Sequence, residues 1–211
     1  MSGAAQYFSQ SYGEARQRFL DAAKAAGATV NHHVHPLTGP SGETLATDVA
    51  RFGPREATRV LGIGSGTHGV EGYCGSGIQT AFMTEGFAKD LPADTAVVFI
   101  HAINPYGFAW NRRVNEDNVD LNRNFLDHSK PHPENPGYEE LADAINPPDL
   151  SPDAMAESRA RLKAYADRHG AAAMQHALSA GQYTHPKGVQ YGGREPVWSN
   201  RTLRNIIREE M

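Results

Sequence analysis

One strand–turn–helix–strand unit sets the strongest limit on how this chain can fold. Val60-Leu61-Gly62-Ile63-Gly64 is a continuous apolar run within 59–65 and reads as a buried strand. The turn Ser65-Gly66-Thr67-His68-Gly69-Val70-Glu71-Gly72 follows it. Residues 72–89 then read as a helix, with Ile78, Phe82 and Met83 facing a core and the Cys74 thiol turned inward. Thr95 to His101 is a second apolar strand, ending at Asn104-Pro105-Tyr106-Gly107. Two apolar strands joined through a helix require a parallel pairing by crossover. In such sheets function collects beyond the carboxyl ends of the strands. His68, Glu71 and Asn104 all lie just past strand ends.

The flanking sequence supplies the rest of an α/β fold. Residues 13–26 predict a helix that buries Phe19, Leu20 and Ala23 and stops at Gly27. Thr29 to Leu37 and Thr44 to Arg51 predict a β-hairpin across Gly39-Pro40-Ser41-Gly42. Residues 127–152 are Pro- and Asn-rich and predict a surface excursion around a short helix at Tyr138 to Ala144. Residues 152–180 form one long helical pattern with Leu162, Tyr165, Ala166 and His169 on a stripe. A loop over 181–198 leads to a last helix over 199–211, with Ser199 as its N-cap. The expected architecture is a mixed, largely parallel sheet sandwiched by helices, in a single domain spanning residues 1–211.

Composition narrows the partners. Net charge is −4 and the isoelectric point is near 6.2, so nothing favours nucleic acid or an anionic membrane. The single cysteine excludes an internal disulfide and suits a reducing compartment. Met1 to Gln6 has neither the basic nor the apolar segment of a leader, and no apolar run is long enough to span a bilayer. A cytoplasmic location is expected.

Three groups of residues carry chemistry. His68 and Glu71 offer an imidazole and a carboxylate, both good zinc donors, with Gly69 and Gly72 permitting close backbone geometry. The structural alternative is a loop histidine with Glu71 as the acidic first turn of a helix. Arg112 and Arg113 are either solvated charges or, for one of them, a fork aimed at a developing oxyanion or a carboxylate. Asp120-Leu121-Asn122-Arg123-Asn124-Phe125 is either a turn network or a carboxylate-recognition pair made of Asn122 and Arg123.

Taken in order, His68-x-x-Glu71, Asn104-Pro105-x-Gly107, Arg113 and Asp120-x-Asn122-Arg123-Asn124-Phe125 resemble the M14 metallocarboxypeptidases. The resemblance is closer to the M14-like DUF2817 branch. It is carried by Ser65 to Gly72 with Asn118 to Phe125, and by Tyr7-Phe8, Tyr12-x-x-Ala15-Arg16 and Gly188-Val189-Gln190-Tyr191-Gly192-Gly193. It covers essentially the whole chain and implies a zinc-dependent hydrolase that cleaves a peptide or amide bond near a free carboxylate. His68 and Glu71 then match two zinc ligands. Arg113 matches the arginine that polarises the scissile carbonyl, with Arg112 as runner-up. Asn122 and Arg123 match the pair that holds the terminal carboxylate. The implied partner is a small peptide or N-acyl amino acid. Aspartoacylase and succinylglutamate desuccinylase relatives share the same motifs, so deacylation of an N-acyl amino acid is the alternative reaction.

The departure from the family is a missing third ligand and a missing base. The family's third ligand is a histidine on a later strand. After Phe125 this chain offers His128, His132, His169, His176 and His185, and none follows an apolar strand. The chain is therefore expected to be the N-terminal portion of a longer enzyme and silent by itself, or else a non-catalytic carboxylate- or metal-binding module. A sheet stopped early would expose a strand edge, so self-association is also expected.

Overall fold

The computed structural model describes residues 3–211, so Met1 and Ser2 of the N-terminal reading lie outside the described residues. The chain divides into two compact units, residues 1–116 with 198–211, and residues 117–197.

The first unit is built on one sheet. Its strands are β1 (Thr29–Thr38), β2 (Thr44–Phe52), β3 (Arg59–Gly64) and β4 (Thr95–His101), in spatial order β1-β2-β4-β3. The hairpin β1–β2 is antiparallel, as is β2–β4, while β3–β4 is parallel in the register Leu61 to Val97 and Ile63 to Phe99. The sheet is mixed as expected, but parallel pairing is confined to the β3–β4 crossover. The hairpin strand β2 intervenes and runs against β4, so "largely parallel" does not describe it. Nor is β3 buried: it is an edge strand, and Leu61 is 56% exposed. An apolar run of this length does not reveal whether a second neighbour covers the strand.

Helices cover both faces, as the sequence predicts. On one face, α1 (Tyr12–Ala25) and α2 (Gly72–Thr84) bring Phe19, Ala23 and Met83 onto Ala50, Phe52, Val97 and Phe99. Ser11 caps α1 by accepting the Glu14 N–H. On the other face lies α8 (Trp198–Glu210). The carboxylate of Glu210 is 2.9 Å from Arg55 and 3.4 Å from Arg51, and Arg51 also donates to the Glu210 carbonyl at 2.7 Å. Two cations thus sit at the negative end of α8. Ser199 lies inside α8, buried, and not at its cap.

α2 turns inward a different face from the one its apolar spacing predicts. Its buried residues are Gly72, Ser76, Gly77, Gln79, Thr80 and Met83, whereas Ile78, Phe82 and Cys74 are exposed. The small residues face inward because the backbone approaches its neighbours closely. A side chain on Gly77 would meet the Phe8 ring at 2.6 Å, and one on Gly75 would meet the Ser65 side chain at 2.6 Å. Residue size, not hydrophobicity, sets the orientation of this helix.

The second unit contains α4 (Leu121–Asn124), α5 (Pro136–Ile145), α6 (Pro152–His169) and α7 (Ala171–Ser179), while the short α3 (Pro105–Ala109) belongs to the first. The single long helix expected over 152–180 is two, divided at Gly170 with φ of 90°. Leu141, Tyr165 and Ala177 form a small core between α5, α6 and α7. Buried amides hold the loops. Asn124 donates to the carbonyls of Gly192 and Glu195, and Asn135 donates to those of Ala177 and Gly181. The Gln182 side chain uses both ends, donating to His185 O and accepting from the Thr184 and His185 amides.

His101, at the end of β4, is fully buried and stacks on Phe19 at 4.6 Å. Burial pushes its pKa from an ordinary 6.5 down to about 4, against the opposing pull of the Asp48 carboxylate. The folded state therefore prefers neutral His101. As pH falls below about 6.5 the unfolded chain takes up a proton that the folded one refuses, and the loss of stability levels off below about pH 4. This one group should remove about 3 kcal/mol across that window. Chemical unfolding of wild type and His101→Gln between pH 7 and pH 4 should show the shallower decline in the variant. Parallel declines would assign the acid sensitivity elsewhere.

Candidate functional site

The turn after β3 is held by the loop after β4. Ile103 N–H donates to Ser65 O at 2.9 Å and Asn104 N–H to Gly66 O at 2.8 Å, continuing the parallel ladder past the strands. Gly66 takes φ of 65°, a left-handed turn that sends the chain back over the strand end. Asn104 caps α3 by accepting the Gly107 N–H at 2.8 Å, and Gly107 O accepts from Arg112 N–H at 2.8 Å. The two motifs singled out in the sequence meet here. A Cβ on Gly69 would lie 1.9 Å from the Gly107 carbonyl carbon, and one on Gly72 would lie 2.6 Å from the Phe108 ring.

His68 and Glu71 are brought together on this turn. His68 Nδ1 is 3.0 Å from Glu71 Oε1, with the histidine side chain 7% exposed and the glutamate 66%. The structure thus holds one donor in place and leaves the other in solvent. The separation is close to the roughly 3.3 Å edge of a tetrahedral shell with metal–donor bonds of ~2.0–2.1 Å, so the pair fits two corners of a zinc site. Among the described residues no group of three or more His, Cys, Asp or Glu side chains is arranged to hold a metal. The fit is therefore to half of a shell. Cys74 is exposed in the first turns of α2 and does not join the pair.

Arg113 lies after α3 in the same unit, exposed, with Arg112 half-buried beside it. Asn122 and Arg123 lie in α4 of the other unit. Asn122 is exposed. The Arg123 guanidinium donates to Asn122 O at 3.1 Å and Ser179 O at 2.8 Å, and its Nε is buried without a hydrogen-bond partner among the described residues. Asp120 caps α4, accepting from the Asn122 amide at 2.9 Å. Within this motif the turn-network reading therefore holds for Asp120 and Asn124, which are buried and serve the backbone. Asn135 and Gln182 perform the same service and were not anticipated. Their signal was an amide beside Pro or Gly in a loop, too common to single out.

A histidine–hydroxyl pair in the same unit is structural. His101 Nε2 is 2.9 Å from Ser76 Oγ, the geometry of a base and a nucleophile, yet both residues are buried and no substrate reaches them.

The close approach at Gly69 gives a test of the site's frame. Gly69→Ala forces a methyl group into backbone, which cannot rotate away, so it should cost about 1–3 kcal/mol or more. Gly13→Ala in α1, with nothing within 4 Å, should instead stabilise by about 0.5–1 kcal/mol. Urea unfolding of the two variants measures both. A neutral Gly69→Ala would mean that the two turns are not interlocked.

No curated protein matches the chain. Solved structures that resemble it include the glutaminyl cyclase of Tannerella forsythia, with 18% identity, a TM-score of 0.36, and coverage of 57% of this chain and 48% of that one. The glutaminyl cyclase of Porphyromonas gingivalis is similar at 12% identity and a TM-score of 0.31, with 68% and 55% covered. That of Fimbriiglobus ruber gives 14% and 0.31, with 44% and 38% covered. The chain thus spans about half or less of the length of these proteins, and likeness at that level assigns no chemistry. Its sequence matches the family described as "Protein of unknown function (DUF2817)" over residues 8–211, and the chain belongs to that family.

Proposed function

We propose that this chain contributes to a zinc-dependent hydrolase of the M14 metallocarboxypeptidase type, cleaving a peptide or amide bond next to a free carboxylate. The observation that carries the reading is the His68–Glu71 pair, Nδ1 to Oε1 at 3.0 Å, just beyond the carboxyl end of the parallel strand β3. His68 and Glu71 would hold the ion. When bound, zinc would supply a water acidified toward neutrality and a Lewis acid for the carbonyl. The chain's own residues have separable tasks. Buried His68 presents Nδ1 without a large reorganisation, because the glycine-lined turn fixes its backbone. Arg113 would stabilise negative charge on the carbonyl oxygen. Asn122 and Arg123 would bind the substrate carboxylate, each charge-assisted bond contributing ~1.5–3 kcal/mol.

Zinc titration of wild type, His68→Ala and Glu71→Ala tests the centre of the proposal. Each substitution should weaken zinc by more than about 10-fold, since even an outer-shell partner of a ligand is worth that much. Equal zinc binding by wild type and His68→Ala would remove the assignment.

The two-donor shell also predicts very low turnover by residues 1–211 alone, since a hydrolytic zinc site uses three protein ligands and a base worth ~10²–10⁴-fold. Zinc-loaded protein would be offered C-terminally varied peptides and N-acyl amino acids. Robust, chelator-sensitive hydrolysis would require a third donor among the later histidines, with His185 the first to substitute. Where the site is completed by a further polypeptide segment, Arg123→Ala should chiefly raise KM, and Arg113→Ala should chiefly lower kcat.

A further inference from the structure

The unit formed by residues 117–197 contains a cavity of about 560 Å³ whose wall carries both an arginine and carboxylates. Its wall is aromatic and rigid. His132 stacks on Tyr183 with ring centroids 4.8 Å apart and planes within 5°, and Pro133 and Pro136 continue the surface. Tyr183 is fixed by its hydroxyl, which donates to Arg123 O at 2.7 Å. For neutral rings the His132 tautomer is set by its neighbours. His128 Nε2 lies 2.9 Å from Asn124 O and donates to it, so in the neutral ring His128 Nδ1 is an acceptor. His132 Nε2, 3.2 Å from that Nδ1, then donates, which leaves His132 Nδ1 as an acceptor.

Arg194 and Glu134 also line the cavity, both exposed, and neither has a hydrogen-bond or ion-pair partner among the described residues. Glu139 is a second carboxylate on the wall, held by the Thr184 hydroxyl, which donates to it, and 3.7 Å from His185. A simple anion would meet Arg194 but also the charge of Glu134. A simple cation would meet the reverse. A ligand carrying both charges satisfies both groups, and the volume is in the range of small-ligand sites.

We propose that this cavity binds a free amino acid or dipeptide as its zwitterion. The carboxylate pairs with the Arg194 fork, and the ammonium pairs with Glu134 and His132 Nδ1. An apolar side chain rests against the prolines and the stacked rings. The cavity shares no lining residue with the His68–Glu71 pair, and the proposal does not involve zinc.

The test uses metal-free protein and the dipeptide Ala-Phe, followed by calorimetry and by the ring resonances of His132 and Tyr183. Wild type should bind Ala-Phe saturably in the millimolar range or tighter, with both rings shifting. Ala-Phe amide and N-acetyl-Ala-Phe, each lacking one charge, should bind about 10-fold or more weakly. Arg194→Ala should weaken Ala-Phe by about 10- to 100-fold and erase its advantage over the amide. Glu134→Gln should erase the advantage over the N-acetyl form. His68→Ala should leave all of these affinities unchanged, whatever it does to zinc, so this site and the zinc assignment can fail separately. The proposal is overturned if wild type does not bind Ala-Phe, if Arg194→Ala binds it as wild type does, or if His68→Ala abolishes binding.

Discussion

Everything at the candidate zinc pair depends on two loops being locked together by main-chain hydrogen bonds. The ladder between β3 and β4 continues through Ser65 O and Gly66 O to the amides of Ile103 and Asn104. That continuation presses Gly69 onto Gly107, with no room for a methyl group on either. His68 is buried on this clamped turn. A backbone clamp is suited to a ligand-bearing turn, since main-chain hydrogen bonds fix position more tightly than long side chains can.

The same sheet carries a buried ionic core that anchors the helices on both faces. Asp48, fully buried on β2, accepts two hydrogen bonds from Arg16 of α1 at 2.7 and 3.0 Å, and its Oδ1 lies 2.6 Å from His32 Nδ1. Arg51, three residues on, faces the opposite way and clasps the end of α8. The alternation of a β-strand therefore assigns one charge to each face of β2. Such pairs add little net stability, because desolvation consumes most of the attraction. Removing one partner is the costly event, since it strands the other in the core.

The sequence was legible where chemistry or period was strong. The β1–β2 hairpin, the β3–α2–β4 crossover, α1 and α5 lie where apolar periodicity and turn residues put them, and the meeting of the two glycine motifs follows from the crossover. Leu61, Ile78 and Phe82 are apolar and their spacing points them inward, but they are exposed. Leu61 lies on an edge strand, which apolar spacing does not reveal, whereas on α2 the close approach of backbones favours Gly, Ser and Thr over larger residues on the inward face. Arg123 and Asn122 read equally well as substrate binders and as loop ties. No local pattern separates those roles, because both use the same donors on the same kind of oxygen.

The contrast between His68 and Glu71 bears on how a metal would be taken up. The histidine is already ordered, whereas most of the glutamate side chain lies in solvent. Ordering a glutamate costs up to ~1.5–2 kcal/mol in rotamer freedom, and the ion must offset it. With two protein donors little affinity would be left after that cost, because fewer bonds would offset the desolvation of the ion. A third donor would change the balance out of proportion to one bond, since Glu71 would already be paid for. Metal affinity at this pair would therefore depend on whatever supplied further donors, while the clamped turn holds His68 in place.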